Sequence, residues 1–516
     1  MSTSLAHITV AQSDEIFQPI PTGPILELVY ERHEKRRQIK SLASIISGDG
    51  LGGVVEYFLT QTQASSVPNL FDMERALKSL DADYWWKALR LTDIYDLMPQ
   101  KRRTEWHKMI DERKMPEFTE ETVVPTLAQL LAERPKFLAE RVDGVFNALS
   151  PDHVTNSPWG FSKRMIVAGV TDQYTFTSGK QCGHINDLRA VIARLMGREE
   201  PPYGSTRFVI ATLRREPGEW HKVDGGSLRM RVYKKGTCHI EIHPDMAWRL
   251  NAILAHLHPR AIPAENRRPS RKAAKDVELM QNLIPFPVLD LLASLRPIAR
   301  THDYTTGYDW SRADKHVRKE AARVIGALGG IVDGGKVRFG YPAGEVINRV
   351  IMLGAIPDEK SHQYYPTPPD LARQAVDWAD IGPDHLCLEP SAGQGNLAEL
   401  MPVSQTTCVE VSDVHAQVLR SKAFPFVVHG CFLDWASSTG KLFDRIVMNP
   451  PFSEGRWRAH TEAAARMLDE NGIMVAILPA SAKDSFNLDG LDLEWSEEHS
   501  FPGVSIKVVM MRGRRL

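Results

Sequence analysis

Cysteine is scarce in this chain: five in 516 residues, at Cys182, Cys238, Cys387, Cys408 and Cys431. They are odd in number, scattered and never in a C-x-x-C pair. That argues against a disulfide framework or a zinc ribbon and for a reducing compartment. Long apolar runs are missing too. Nothing approaches the roughly 18 uninterrupted apolar residues a spanning helix needs, so no membrane partner is expected. The opening MSTSLAHITV has neither the basic n-region nor the apolar h-region of a secretory signal. These absences together predict a cytoplasmic protein. Net charge is nearly absent as well, at −1. A composition 43% hydrophobic and 25% charged excludes a disordered chain, a collagen-like repeat and a coiled-coil rod. The length implies about three domains of roughly 150 residues each.

The near-zero charge conceals a division. From Ser361 onward there are 13 Lys+Arg against 20 Asp+Glu, and before it 50 against 44. If the partner is a polyanion, the first two-thirds of the chain is the part expected to grip it.

Residues 1–69 read as an N-terminal extension interrupted by Gly48-Asp49-Gly50 and Gly52-Gly53. Residues 70–258 read as an α+β domain. Apolar residues recur at three and four from Phe71 to Leu149, with a helix start at Thr119, and strands follow in FVIATL, SLRMRVY and CHIEIH. MAWRLNAILAHL closes the region as a helix. Residues 259–275 form a basic linker carrying Arg260, Arg267, Arg268, Arg271, Lys272 and Lys275. Residues 276–358 form a mainly helical connecting module with a hairpin turning on Asp333-Gly334-Gly335. Its helix from Arg312 to Leu328 puts Arg312, Lys315, Lys319 and Arg323 on one side, with Val317, Val324 and Leu328 available for the other. In residues 359–516, apolar runs at Leu386–Glu389, Thr407–Val411, Phe426–His429, Asp444–Met448 and Ile473–Leu478 alternate with helical stretches. That alternation predicts an α/β, doubly wound parallel sheet, with VSIKVVMMR as its last strand.

The chemistry concentrates in this last region. LCLEPSAGQGNLAEL reads as a buried strand, an acid at its tip, a tight glycine loop and a helix. Gly393 and Gly395 suit close backbone approach to a ligand. Taken alone, G-x-G fits an ordinary strand–helix turn equally well. Glu410 lies at the next strand tip, about 20 residues after Glu389, where a ribose-binding acid belongs in a nucleotide-binding sheet. Asp434, after the third strand, is placed to receive an exocyclic adenine amine. Asn449-Pro450-Pro451-Phe452 follows the strand FDRIVM directly. A double proline continues neither strand nor helix, so it makes a rigid turn at the carboxyl edge of the sheet. There Asn449 and the Pro450 carbonyl offer two acceptors to an amino group, and Phe452 offers a flat apolar face.

GQGNLAE within LEPSAGQGNLAE, followed by NPPF about 55 residues later, resembles the S-adenosylmethionine-dependent amino-methyltransferases of DNA, and more narrowly the adenine-N6 enzymes. The resemblance covers about the last 155 residues and implies a Rossmann-like methyltransferase sheet ending in an antiparallel hairpin, to which the closing FPGVSIKVVMMR is similar. QYYPTPPDLARQAV resembles the segment over the methionine end of the cofactor, which implies Tyr365 and Thr367 near it. Glu389, Pro390, Ser391, Gly393 and Gly395 would line its amino-acid and sugar portions, Glu410 its ribose hydroxyls and Asp434 its adenine amine.

The implied reaction needs no metal. Asn449 and the Pro450 carbonyl accept the two N–H bonds of the target amine, freeing its lone pair for in-line attack on the sulfonium methyl. The base is flipped from double-stranded DNA, with Phe452 stacked on it. Methylation of RNA bases and a catalytically silent cofactor-fold module that binds DNA are the alternatives. No obligate protein partner is evident.

LDADYWWKALRLTDIYDLMPQKRRTEWHKMI, MPEFTEETV, LSPDHVTNSPWGFSKRMI and RVYKKGTCHIEIHPDMAWRLN resemble an uncharacterised domain fused ahead of adenine methyltransferases in phage, plasmid and other bacterial mobile elements. DNA contact there is expected through Lys101-Arg102-Arg103, Lys163-Arg164 and Lys234-Lys235. Cys238, His239 and His243 are close in sequence, but successive strand residues face opposite sides, so no metal site is expected. Trp85, Trp86 and Trp106 fall on helical faces and read as packing.

Overall fold

A computed structural model describes residues 23–47, 54, 72–92, 94–149, 153, 155–172, 176–202, 204–269, 280, 282–356, 365–500 and 507–515. The early glycines, linker residues Arg271, Lys272 and Lys275, and the stretch 501–506 lie outside the described residues. Two compact units form, one within Met1–His221 and Ser227–Val277, the other within Lys222–Gly226 and Glu278–Leu516. No described helix is long and apolar enough to cross a membrane.

The first unit begins helical. Helices Gly23–Ser47, Met73–Leu91, Gln100–Asp111, Glu120–Ala132 and Arg134–Ala148 surround a core that includes Tyr84, Trp85, Phe118 and Phe137. Thr119 starts its helix through a capping box with Thr122. Strands Arg164–Val167, Cys238–Ile242 and Leu228–Val232 then pair antiparallel, Cys238–Ile242 in the middle. Alternation turns Cys238 into the core and His239 to the other face, as the strand period requires. FVIATL is a correction. It lies in the helix Ser205–Leu213, not in a strand, and buries Thr206, Val209, Ile210 and Leu213. That spacing is helical, and so short an apolar run does not separate helix from strand by hydrophobicity alone.

The second unit is built on a sheet of seven principal strands: β1 (Cys387–Glu389), β2 (Thr406–Glu410), β3 (Phe426–His429), β4 (Phe443–Met448), β5 (Leu468–Pro479), β6 (Leu491–Trp495) and β7 (Lys507–Arg515). Their order is β3-β2-β1-β4-β5-β7-β6. The first five run parallel, and β7 inserts antiparallel between β5 and β6. The fold is a doubly wound, Rossmann-like α/β sheet with a terminal antiparallel hairpin, joined in this chain to an α+β N-terminal region. Both faces are covered, which is why the strands read as continuous apolar runs. Cys387, Cys408, Val447 and Val475 face a core shared with the helix Pro369–Trp378. Leu388, Val409, Ile446 and Met474 face the opposite core, shared with the helix Arg456–Arg466. The strand order reverses between β1 and β4, and the crevice beyond the carboxyl ends at such a reversal is where open α/β sheets bind ligands.

Two local expectations in this unit are corrected. The stretch after Gly395 forms only a 3-10 turn, Ala398–Leu400, rather than an α-helix. Pro402 follows within two residues and disfavours helical backbone before it. The helix expected from about Arg312 to Leu328 is present as Lys315–Ala327, and a separate short helix, Tyr308–Arg312, precedes it. Ala313 and Asp314 between them take extended backbone (ψ 148° and 146°).

Candidate active site

The crevice at the strand reversal is a cleft of about 610 Å³. It gathers Tyr365, Thr367, Glu389, Pro390, Ser391, Gly393, Glu410, Asn449, Pro450, Pro451 and Phe452, eleven of the thirteen residues singled out from the sequence. Gly395 is not in its wall. With φ +87° it turns the loop, and a Cβ there would come within 2.9 Å of Leu419 Cδ2. Asp434 is not in the wall either. It is exposed in the first turn of the helix Phe432–Ser438, while Cys431, Phe432 and Leu433 line the cleft in its place.

The two acids at the strand tips are buried and shape the glycine loop. Glu410 accepts from the Gly393 N–H and the Ser412 N–H, each at 2.7 Å. It therefore holds the loop, where Gly393 has φ +54°, and the start of the helix Asp413–Ser421. Glu389 accepts from the Ala398 N–H at 2.8 Å and so ties β1 to the 3-10 turn. Burial raises the carboxyl of Glu410 above the usual range and that of Glu389 well above it, against the backbone N–H bonds that favour the charged form.

Asn449 emerges from β4 with its amide already oriented. Its Nδ2 donates to Thr367 Oγ1 at 3.1 Å and to the Tyr365 carbonyl at 3.4 Å. A carbonyl only accepts, so nitrogen must face Tyr365, and Oδ1 remains to accept elsewhere. Asn396 Nδ2 donates to the Thr367 carbonyl at 3.1 Å, anchoring that segment to the glycine loop. Phe452 is half-buried and packs against both cores of the sheet.

Wall residues that the sequence reading did not single out include Asn396, Phe432, Arg456 and His460. The helix Arg456–Arg466 brings buried His460 to Ser391, with Nδ1 3.2 Å from Oγ, and sets its ring 5.4 Å from that of Phe432. Burial, aided by Arg456, lowers its pKa to about 4, which keeps the imidazole neutral near pH 7. The segment 453–455, with Glu454 at φ +54° and Gly455 at +69°, turns the chain from the double proline into that helix. Among the described residues no cluster of three or more His, Cys, Asp or Glu side chains suits a metal ion.

Of the basic residues expected to meet DNA in the first unit, Arg102 and Arg103 are engaged internally, while Lys101 is exposed. Arg103 is buried against Asp187, which also pairs with Arg141. Arg102 bonds Glu133 and Glu140. Arg164 pairs with Glu241, whereas Lys163, Lys234 and Lys235 are exposed. Trp85 is core, as expected.

Residues 77–260 match a family described as a domain of unknown function (DUF4942). No curated protein matches the chain. Among solved structures, TrmN from Thermus thermophilus is 17% identical with a TM-score of 0.27, over 40% of this chain and 68% of that one. The 23S rRNA methyltransferase ErmE is 19% identical with a TM-score of 0.24, over 30% of this chain and 70% of that one. An rRNA methylase from Streptococcus thermophilus is 7% identical with a TM-score of 0.24, over 30% of this chain and 99% of that one.

Proposed function

We propose that the cleft transfers a methyl group from S-adenosylmethionine to the N6 amino group of adenine in DNA. The observation that carries the reading is the Asn449 amide. It is held by Thr367 and Tyr365 so that Oδ1 is left as an acceptor, in a cleft whose wall also holds Pro450 and the buried acids Glu389 and Glu410.

The donor set fits this cofactor. A sulfonium, an ammonium and two ribose hydroxyls are all partners that a carboxyl favours, and Glu389 and Glu410 bring two buried carboxyls to the cleft wall at adjacent strand tips. Glu410 would hold the ribose hydroxyls, and the main chain of Ser391 to Gly393 would hold the amino-acid end. The adenine ring falls to Phe432 and Leu433 rather than to Asp434. When bound, the cofactor supplies an electrophilic methyl group.

The chain's own contribution is positioning and polarity. Asn449 Oδ1 and the Pro450 carbonyl accept the two amine hydrogens, which draws the nitrogen lone pair out of conjugation with the ring. Both are preorganised dipoles aimed at the positive charge that develops on nitrogen. Phe452 offers its face to the extruded base, which must leave the duplex to reach the cleft. His460, neutral at working pH, hydrogen-bonds Ser391 and so steadies the start of the glycine loop.

The test is incubation of the full chain with S-adenosylmethionine and unmethylated DNA or RNA, followed by nucleoside mass analysis. N6-methyladenine in DNA, abolished by Asn449→Ala, is the expected result. A methylated RNA base with unmodified DNA would overturn the substrate. Cofactor binding with no product on either would make the domain a binding module.

A further inference from the structure

The connecting module between the basic linker and the cleft has an architecture of its own. The helix Phe286–Ala293 is followed by Tyr304–Thr305, then the helices Tyr308–Arg312 and Lys315–Ala327, then a hairpin of Ile331–Asp333 and Lys336–Arg338. Tyr304–Thr305 pairs antiparallel with Lys336–Arg338, which pairs on its other side with Ile331–Asp333. The hairpin turns on Gly334 and Gly335, both at positive φ (51° and 87°), as a two-residue turn requires. Trp310 Nε1 donates to the Leu291 carbonyl at 3.2 Å and docks the short helix on the first. Tyr341 Oη donates to the Leu328 carbonyl at 2.7 Å and closes the end of the long one. Two helices across a two-residue break, backed by a third and flanked by a projecting hairpin, make a helix-turn-helix with a wing.

The long helix is the element that such a module lays in the major groove, and its faces fit that role. Ala321, Val324 and Ile325 are buried against the module. Lys315, Arg318 and Lys319 are exposed and make no ion pair among the described residues, whereas Arg323 is paired with Glu320. Ala322 and Gly326 continue the line of Lys315 and Lys319, so the face is cationic at its start and small beyond it, leaving room for close approach to base edges. Asp314 stands at the N-cap beside Lys315, so the groove-facing charge is carried by Arg318 and Lys319 together with that lysine. On the wing, Lys336 is exposed beside the turn. The module is tied to the cleft: Gln394 of the glycine loop donates to the Ala327 carbonyl at 2.6 Å, and Arg349 pairs with Asp413 at 3.1 Å.

We infer that residues 286–356 are a winged helix-turn-helix that binds duplex DNA, with Lys315, Arg318 and Lys319 on the groove-facing helix and Lys336 on the wing. The inference rests on the proposed DNA substrate and adds the surface that grips it, anchored directly to the cofactor loop.

The test measures binding of a fluorescein-labelled duplex by anisotropy across a salt series, using the full chain and the triple variant Lys315→Ala/Arg318→Ala/Lys319→Ala. All three positions are exposed, and cofactor affinity measured alongside reports that the cleft is intact. The expected result is DNA binding weakened about tenfold or more, with the salt slope reduced by about one for each phosphate no longer neutralised, and cofactor affinity unchanged. Unchanged DNA affinity and slope in the variant would overturn the inference while leaving the reaction at Asn449 standing. Tight binding to RNA with none to the duplex would overturn it as well. The methylation assay separately reports whether the proposed reaction fails.

Discussion

At the scale of single residues, the amide at Asn449 acts only if it points the right way, and Thr367 is what points it. Thr367→Val removes Oγ1 with little change of shape and leaves the longer bond to Tyr365 as the only described restraint on the amide nitrogen. A neutral hydrogen bond contributes about 1 kcal/mol, so kcat should fall roughly five- to tenfold. Cofactor affinity should change much less, and Thr367→Ser should restore the rate. Equal losses in both would mean that Thr367 serves the cofactor rather than the amide. Residues differ in how far sequence alone exposes them. Asn449 to Phe452 were legible because two prolines fix the local backbone whatever surrounds it. Asn396 and His460 were not, since an asparagine after a glycine and a histidine in mid-helix acquire meaning only from what lies across the cleft. Arg103 shows the opposite error: a basic run looks like a docking surface until Asp187, 84 residues away in sequence, is found beside it.

At the scale of elements, the glycine loop is set by backbone geometry more than by contacts to a ligand. Gly395 lies outside the cleft wall, yet its φ of +87° strains any side chain, and a Cβ would press on Leu419 Cδ2 at 2.9 Å. Gly395→Ala should cost about 1–2 kcal/mol in left-handed strain, seen as a lower melting temperature. It should also weaken cofactor binding, because Gly393 and Glu410 depend on the same loop. A variant that melts normally but binds weakly would mean that Gly395 touches the ligand after all. The sheet was the most legible element, since its parallel strands are apolar runs bounded by turns, buried in all but the edge strand β3. The misread ones, Ser205–Leu213 and the break at Ala313-Asp314, are short. There a handful of residues carries too little periodicity to outvote tertiary packing.

At the scale of the whole molecule, the cleft and the DNA-binding helix are both assigned to the second of two compact units, and ligand linkage tests that assignment. A molecule that binds only the native second unit stabilises that unit by an amount set by its concentration over its Kd, about 2.7 kcal/mol at a hundredfold excess. S-adenosylmethionine should therefore raise hydrogen-exchange protection across β1, β2, β4 and the helix Asp413–Ser421. Strands Leu228–Val232 and Cys238–Ile242 of the first unit should keep their own rates. Duplex DNA added without cofactor should protect Lys315–Ala327 and the hairpin after it, within the same second unit. The two patterns together test the division of labour. Protection by the cofactor spread evenly over both units would mean that they unfold as one cooperative body. Protection confined to the first unit would remove the ligand from the cleft altogether, and the readings of Glu410 and Asn449 would fall with it.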